Sequence, residues 1–196
     1  MCSRYELNTT NLEHISRRFG ASSPSGVAPQ PEIRPTNQAP VIKIGGQFEM
    51  LRWGLENSWD GKPLINARSE TLAEKKTFIP LLENRCLVPA TAYFEWREDN
   101  QQRIKTHIEP VNLDLIAFAG LFDGDSFIII TCAPSSAIAH IHGRMPVILE
   151  RHFEQVWLTE AFPFAQVRNL LAPYPNGSLL AREIKPPPQP QRDLFY

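Results

Sequence analysis

From residue 85 onward the chain is a series of apolar runs of strand length separated by turn residues. This pattern limits the fold more than any other feature of the sequence. The runs are CLVPATAYFEWRE, RIKTHIEP, LIAFAGLFD and SFIIITCAP. The last is rich in β-branched residues, which is typical of a buried strand. The order of these elements predicts an α+β domain in which antiparallel sheets curl into a barrel-like core, with helices at its margins.

The first part of the chain adds shorter elements. Residues 1–8 are predicted to form a strand with Tyr5 and Leu7 on one face. A second strand is predicted in the stretch QFEMLRWGL, which follows a Gly-Gly turn. Helical spacing of apolar residues predicts short helices. These are expected at residues 12–19, 72–76, 150–157 and 164–171.

Composition indicates one ordinary globular domain, predicted to span residues 1–184 and to be followed by a proline-rich tail, KPPPQPQRDLFY, at 185–196. The net charge of −1 gives no global argument for nucleic-acid binding, so such a surface would have to be a local basic groove. No apolar run approaches the ~20 residues of a membrane span. Three cysteines and no secretory signal predict a cytoplasmic protein with free thiols.

The second residue, Cys2, becomes a reactive centre if Met1 is removed. The new α-amine would have a pKa of about 7.7–8.0, against about 10.4 for lysine, so a useful fraction is neutral at pH 7. A neutral amine attacks an aldehyde to form a Schiff base. The neighbouring thiol can then close on the imine carbon to give a thiazolidine ring. A chain that keeps Met1 has no such amine. The alternative interpretation is a cysteine that merely follows the start codon.

Two polar motifs lie inside apolar surroundings. INARSE offers Asn66, whose amide both donates and accepts, and Arg68, whose planar fork suits phosphate. The same residues would also suit a solvated strand end. FEW places Glu95 between two aromatic residues. If Glu95 faces inward its pKa should rise toward neutrality, as a general acid requires. If Phe94 and Trp96 face the core instead, Glu95 faces water.

The stretch HIHGRMP places His140 and His142 two residues apart, followed by Arg144. A metal site would need a third ligand, and Cys132 completes no known spacing. The better functional interpretation is a general acid/base at His142 and a phosphate contact at Arg144. A buried structural histidine is the alternative. Trp53 and Trp59 are read as partly core residues, with base stacking as the other possibility.

Several stretches together resemble the SRAP (SOS response-associated peptidase) family. They are MCSRYEL, RPTNQAPVI, RWGL, INARSETLAEKKTF, RCLVPATAYFEW, AGLF and HIHGRMPVIL. The resemblance runs from the terminus to about residue 149. It implies a protein that binds single-stranded DNA at abasic sites, loses Met1 partly by self-processing, and forms a covalent thiazolidine crosslink that shields the site during the DNA damage response.

The resemblance also implies roles for individual residues. Cys2 is the nucleophile, Asn66 positions it, Glu95 assists proton transfer, and His142 helps to open the sugar ring. DNA contacts are implied for Arg68 and Arg144 and, more weakly, Arg4, with Trp53 as a further DNA-binding candidate. We expect no metal, no cofactor and no membrane partner, and a monomer that acts in the bacterial cytoplasm at damaged DNA in the nucleoid.

The sequence departs from the family pattern at two places. Ser3 stands where the family has glycine, and Thr91-Ala92-Tyr93-Phe94 replaces the usual residues ahead of Glu95. Ser3 could restrict the terminus, because glycine tolerates backbone angles that other residues do not. Both changes bear on rate and self-processing, and neither removes a group that the chemistry requires.

Two other functions remain open at the level of sequence. An N-terminal-nucleophile amidohydrolase would explain Cys2 and Asn66 but would leave the arginines and His142 without a role. A non-catalytic single-stranded DNA binder would retain the arginines and tryptophans alone.

Overall fold

The computed structural model describes residues 2–9, 12–20, 28–56, 61–100, 102–175 and 177–184. The strands within these ranges, in chain order, are β1 (Arg4–Leu7), β2 (Gln30–Ile33), β3 (Gln38–Lys43), β4 (Gln47–Trp53), β5 (Asn66–Arg68), β6 (Arg85–Ala90), β7 (Ala92–Asp99), β8 (Gln102–Pro110), β9 (Ile116–Asp123), β10 (Ser126–Cys132), β11 (Met145–Pro146) and β12 (Leu179–Glu183). The helices are α1 (Leu12–Phe19), α2 (Arg151–Leu158) and α3 (Phe164–Val167).

A closed five-stranded barrel forms the centre of the molecule. Its strands follow one another in the order β10, β4, β3, β6 and β9, and β9 pairs back with β10. All of these pairings are antiparallel except the parallel pair of β10 with β4. The predicted α+β fold with a barrel-like core is therefore confirmed.

The central strand β10 carries short strands at its far end as well. Ile129 pairs with Asn66 of β5, and Cys132 pairs with Met145 of β11. Thr131 pairs with both short strands, so β5 and β11 flank β10 on opposite edges. The end of β10 thus holds two segments that are distant in sequence, one on each of its edges.

A second sheet, in the order β12-β8-β7-β1-β2, packs beside the barrel, and all its pairings are antiparallel. Arg4 lies opposite Phe94 in the pairing of β1 with β7. Because the two strands run in opposite directions, the residues before β1 lie alongside those that follow Phe94. The amino-terminal segment is thereby held next to Glu95.

Aromatic side chains join the second sheet to the barrel. The ring of Tyr5 meets Trp53 edge-on with centroids 5.1 Å apart, and Phe118 at 5.7 Å. Tyr5 and Leu7 are both buried, as the predicted strand at residues 1–8 requires. Such edge-to-face pairs stabilise a core beyond their area of burial.

One glycine is required where the barrel strands approach each other. A Cβ at Gly120 would lie 2.8 Å from the carbonyl oxygen of Ile128 and 2.9 Å from Sγ of Cys86. Both atoms belong to adjacent strands in the barrel wall. A larger residue would push β9 away from its neighbours, since protein interiors have few voids to absorb it.

Helices at residues 12–19, 150–157 and 164–171 are confirmed, the last as α3 with a following 3₁₀ turn at Arg168–Leu170. The helix predicted at 72–76 is wrong. Residues 69–74 form turns, closed by bonds such as the N–H of Glu74 to the carbonyl of Thr71. Leu72 is fully buried and anchors these turns in the core, so tertiary burial outweighs local helix propensity.

The proline-rich tail predicted at 185–196, Met1 and Trp59 lie outside the described residues. Within the described residues, no helix is long and apolar enough to cross a membrane. Cys2, Cys86 and Cys132 are all buried free cysteines, as the predicted free thiols require.

Candidate active site

Cys2 lies just before β1 and is completely buried. The side-chain amide of Asn66 donates a 2.7 Å hydrogen bond to the main-chain carbonyl oxygen of Cys2. Asn66 is itself held by the pairing of β5 with β10 in the barrel. The barrel therefore fixes the backbone of the second residue, across 64 positions of sequence.

The thiol of Cys2 is neutral in this environment. Burial raises its pKa well above the ordinary value, and the charge of Glu95 raises it further. The Sγ atom donates a weak hydrogen bond to the carbonyl oxygen of Arg4, at 3.7 Å. A thiol in this state needs a base, or exposure to solvent, before it can act as a nucleophile.

Glu95 faces inward from β7, with only 2% of its surface exposed. Phe94 and Trp96 point to the opposite side of the strand, where the ring of Phe94 lies 5.3 Å from that of His107. Of the two orientations left open by strand alternation, the inward one is thus observed. Burial raises the pKa of Glu95 to about 7, so the carboxyl can carry a proton at neutral pH.

His142 follows the turns at residues 136–141 and precedes β11. Its Nδ1 accepts a 3.0 Å hydrogen bond from the backbone N–H of Arg144, while Nε2 lies 3.9 Å from Oε2 of Glu95. Nδ1 also lies 3.2 Å from the carbonyl oxygen of Arg144, so the proton of the neutral ring can sit on either nitrogen. Burial lowers the pKa of His142, which favours the neutral form of the ring.

Arg144 is occupied by a carboxylate. Its Nη1 and Nη2 atoms donate to the two carboxylate oxygens of Glu70, at 2.6 and 2.9 Å. Nη2 also donates to the main-chain carbonyl of Thr131, at 2.6 Å. The predicted phosphate contact is therefore engaged in an intramolecular ion pair.

The other two arginines differ in their surroundings. Arg68 is exposed at the end of β5, two residues beyond Asn66. Arg4 donates to the carbonyl of Ser3 at 2.6 Å and lies 3.3 Å from Glu32. Of these two arginines, Arg68 is the more exposed.

The prediction that Trp53 binds DNA does not fit its position. Trp53 is 0% exposed, and its Nε1 donates to the main-chain carbonyl of Ile65 at 3.0 Å. Its ring stacks on Phe127 inside the barrel. A fully buried ring has no face on which a base can stack, so Trp53 is a core residue.

Two further residues at the site were not singled out from the sequence. Glu70 was part of the INARSE stretch, but nothing in the sequence linked it to Arg144. Arg103 is exposed on β8, and its positive charge contributes to the lowered pKa of His142 after the larger effect of burial. Its guanidinium lies 5.7 Å from the ring of Trp96. Only strand pairing brings it near the site.

In the part of the chain that the structure describes, His140 and His142 belong to no cluster of three or more metal-ligating side chains. Among the described residues, no group of three or more histidine, cysteine, aspartate or glutamate side chains could hold a metal ion. The groups that do converge are a thiol, an amide, a carboxyl and an imidazole. This set is suited to nucleophilic attack with proton transfer.

The model of a family described as SOS response associated peptidase (SRAP) matches residues 1–187. The abasic site processing protein YoqW of Bacillus subtilis is 33% identical over 210 residues, covering 94% of this chain and 92% of the relative. The abasic site processing protein YedK of Escherichia coli is 30% identical over 179 residues. That alignment covers 82% of this chain and 80% of the relative. A crystal structure of a protein from Bacteroides thetaiotaomicron matches with a TM-score of 0.84 at 26% identity, over 94% of this chain and 92% of the other. The chain belongs to the SRAP family.

Proposed function

We propose that this protein processes abasic sites in single-stranded DNA by forming a covalent bond between Cys2 and the ring-opened sugar. Relatives across most of the chain length are named abasic site processing proteins, which supports the choice of substrate. The observation that carries the proposal is the hydrogen bond from Asn66 to the carbonyl of Cys2. This bond holds the second residue beside Glu95 and His142, where its amine and thiol can meet an aldehyde.

The first step is hydrolysis of the peptide bond between Met1 and Cys2. This consumes one water molecule and gives free methionine and a chain with an α-amine on Cys2. The thiol of Cys2 is the nucleophile for this cleavage, and Glu95 is the group that exchanges protons with it. Removal of Met1 is required because a peptide nitrogen cannot form an imine.

The second step is capture of the aldehyde. The amine of Cys2 adds to the aldehyde carbon to give a carbinolamine, which loses one water molecule to give an imine. The thiol then adds to the imine carbon, and its proton passes to the nitrogen. The product is a thiazolidine ring that joins the protein to the sugar.

Glu95 has the properties of the acid that expels this water. Its pKa of about 7 lets it hold a proton at neutral pH and release it readily. Nε2 of His142 faces the carboxyl of Glu95 at 3.9 Å. We assign His142 to the opening of the sugar ring, which needs one oxygen to lose a proton while the ring oxygen gains one.

DNA binding in this proposal depends on phosphate contacts, because an abasic site has no base to read. Arg68 is exposed two residues from Asn66, and Arg4 and Arg144 lie on the neighbouring segments. The net charge of −1 means that these cations act as a local groove.

The test uses a single-stranded oligonucleotide with one uracil, converted to an abasic site by uracil glycosylase. The protein is incubated with this DNA, heated in detergent and run on a denaturing gel, and intact mass reports whether Met1 is present. Protein without Met1 should give a heat-stable shifted band, and Cys2→Ala should give none. Absence of the band from processed wild-type protein would contradict the proposal, as would a band that persists in Cys2→Ala.

A Cys2→Ser variant separates the two bonds of the proposed product. Produced without Met1, with its absence confirmed by intact mass, this variant has the amine but lacks the thiol, so it should form an imine and no thiazolidine. A band should therefore appear only when borohydride is added to reduce the imine. A heat-stable band from this variant without reductant would show that the thiol is not needed.

A further inference from the structure

Glu70 occupies the edge of Arg144 that a phosphate would use. The terminal Nη1 and Nη2 atoms of Arg144 each donate to one carboxylate oxygen, at 2.6 and 2.9 Å. Arginine binds phosphate through the same paired N–H groups. A DNA phosphate cannot take this edge while the carboxylate holds it.

The remaining N–H groups of Arg144 do not provide a second bidentate site for phosphate. Nη2 is further bonded to the carbonyl of Thr131 at 2.6 Å, and Nε is buried without a hydrogen-bond partner in the described part of the chain. A bidentate phosphate contact at Arg144 therefore requires displacement of Glu70.

Glu70 is placed to be displaced. Its side chain is 49% exposed, whereas that of Arg144 is 17% exposed. Glu70 lies in the turns that follow β5, beside the exposed Arg68. An ion pair with a half-exposed partner contributes little to stability, so a phosphate can replace the carboxylate at small cost.

Arg144 does not depend on Glu70 for its position. The bond from Nη2 to the carbonyl of Thr131 holds the guanidinium against β10. The backbone N–H of Arg144 is separately bonded to Nδ1 of His142. Loss of the carboxylate would leave both bonds in place.

We propose that Glu70 is an internal competitor for the DNA phosphate at Arg144, and that it determines how weakly the protein holds undamaged single-stranded DNA. The inference rests on the proposed function, because it takes Arg144 as a phosphate contact. Undamaged DNA can contact Arg144 only by displacing Glu70. It is therefore held weakly and dissociates. DNA with an abasic site is retained by its covalent bond to Cys2.

The test compares Glu70→Gln with Glu74→Gln in the full chain. Glu74 lies in the same turns and is exposed, so its substitution removes the same charge without releasing Arg144. The probe is a fluorescent undamaged oligothymidylate, titrated by anisotropy at several salt concentrations. Glu70→Gln should bind about fivefold more tightly than wild type, which is equivalent to about 1 kcal/mol.

The salt dependence identifies the cause. One additional phosphate contact should make the slope of log K against log salt steeper by about 0.7 in Glu70→Gln. Glu74→Gln should keep the wild-type slope. The double variant Glu70→Gln/Arg144→Ala should lose both the tighter DNA binding and the steeper slope of Glu70→Gln. If Glu70→Gln binds no more tightly than Glu74→Gln, or binds less tightly than wild type, the inference is wrong.

The crosslinking assay keeps this inference separate from the proposed function. If the wild-type protein crosslinks abasic DNA and Glu70→Gln matches Glu74→Gln, only the role of Glu70 fails. If the wild-type protein forms no crosslink while Glu70→Gln still binds more tightly with a steeper slope, only the covalent chemistry fails.

Discussion

The Nε2 atom of His142 lies 3.9 Å from Oε2 of Glu95. On the other side of the ring, Nδ1 lies 3.0 Å from the backbone nitrogen of Arg144 and 3.2 Å from its carbonyl oxygen, so the main chain holds the imidazole with Nε2 toward the carboxyl. The two side chains can therefore exchange a proton through a small movement or through one water molecule. This arrangement is suited to a substrate that needs protons moved at more than one of its oxygens.

His142→Ala should slow the capture of an abasic deoxyribose by about a hundredfold, the usual contribution of a general acid or base. An oligonucleotide that carries an acyclic aldehyde has no ring to open, so the variant should react with it as fast as the wild type. Crosslink formation on denaturing gels measures both rates. Equal slowing on both substrates would assign His142 to the imine steps instead.

Glu95 should make the stability of the protein depend on pH. Its folded-state pKa is raised from 4.5 to about 7, so the folded protein holds this proton more tightly than the unfolded chain does. The associated stability is complete below about pH 4.5 and is lost as the pH rises through about 7, a loss of about 3 kcal/mol.

Urea denaturation of wild type and Glu95→Gln between about pH 5 and about pH 8 measures this effect. The glutamine side chain does not titrate. As the pH rises, the unfolding free energy of the wild type should therefore fall relative to that of Glu95→Gln. Parallel pH dependence of the two proteins would show that the carboxyl does not titrate in this range.

Asn66→Asp should reduce the rate of crosslinking by about tenfold or more, because a carboxylate would face the carbonyl oxygen of Cys2 in place of a donor. Asn66→Ala should act in the same direction through the loss of the 2.7 Å hydrogen bond. Urea midpoints control for stability. A full rate in Asn66→Asp would show that this hydrogen bond does not position the nucleophile.

Trp53→Phe should lower the free energy of unfolding by about 2 kcal/mol, because it leaves a cavity and removes the hydrogen bond to Ile65. Binding of undamaged single-stranded DNA by the folded variant should be unchanged. Weaker DNA binding at unchanged stability would restore the role in DNA contact that the burial of Trp53 argues against.

The fold was largely predictable from its strands. Runs such as SFIIITCAP and LIAFAGLFD became β10 and β9 because their apolar, β-branched residues favour buried strands. The closure of the barrel was harder to predict, because β10 pairs not only with its hairpin neighbour β9 but also with β4, which is distant in sequence. The turns around Leu72 were missed because burial of one side chain outweighed a helical pattern.

The sequence by itself determined which chemical groups are present: a cysteine at position 2, and an amide, a carboxyl and an imidazole in three recognisable motifs. Only the tertiary structure decided how they behave. The inward orientation of Glu95 and its raised pKa follow from the pairing of β7 between β1 and β8, and alternation along one strand allowed either face. The burial of Trp53 and the capture of Arg144 by Glu70 likewise depend on contacts between distant segments, which local sequence does not encode.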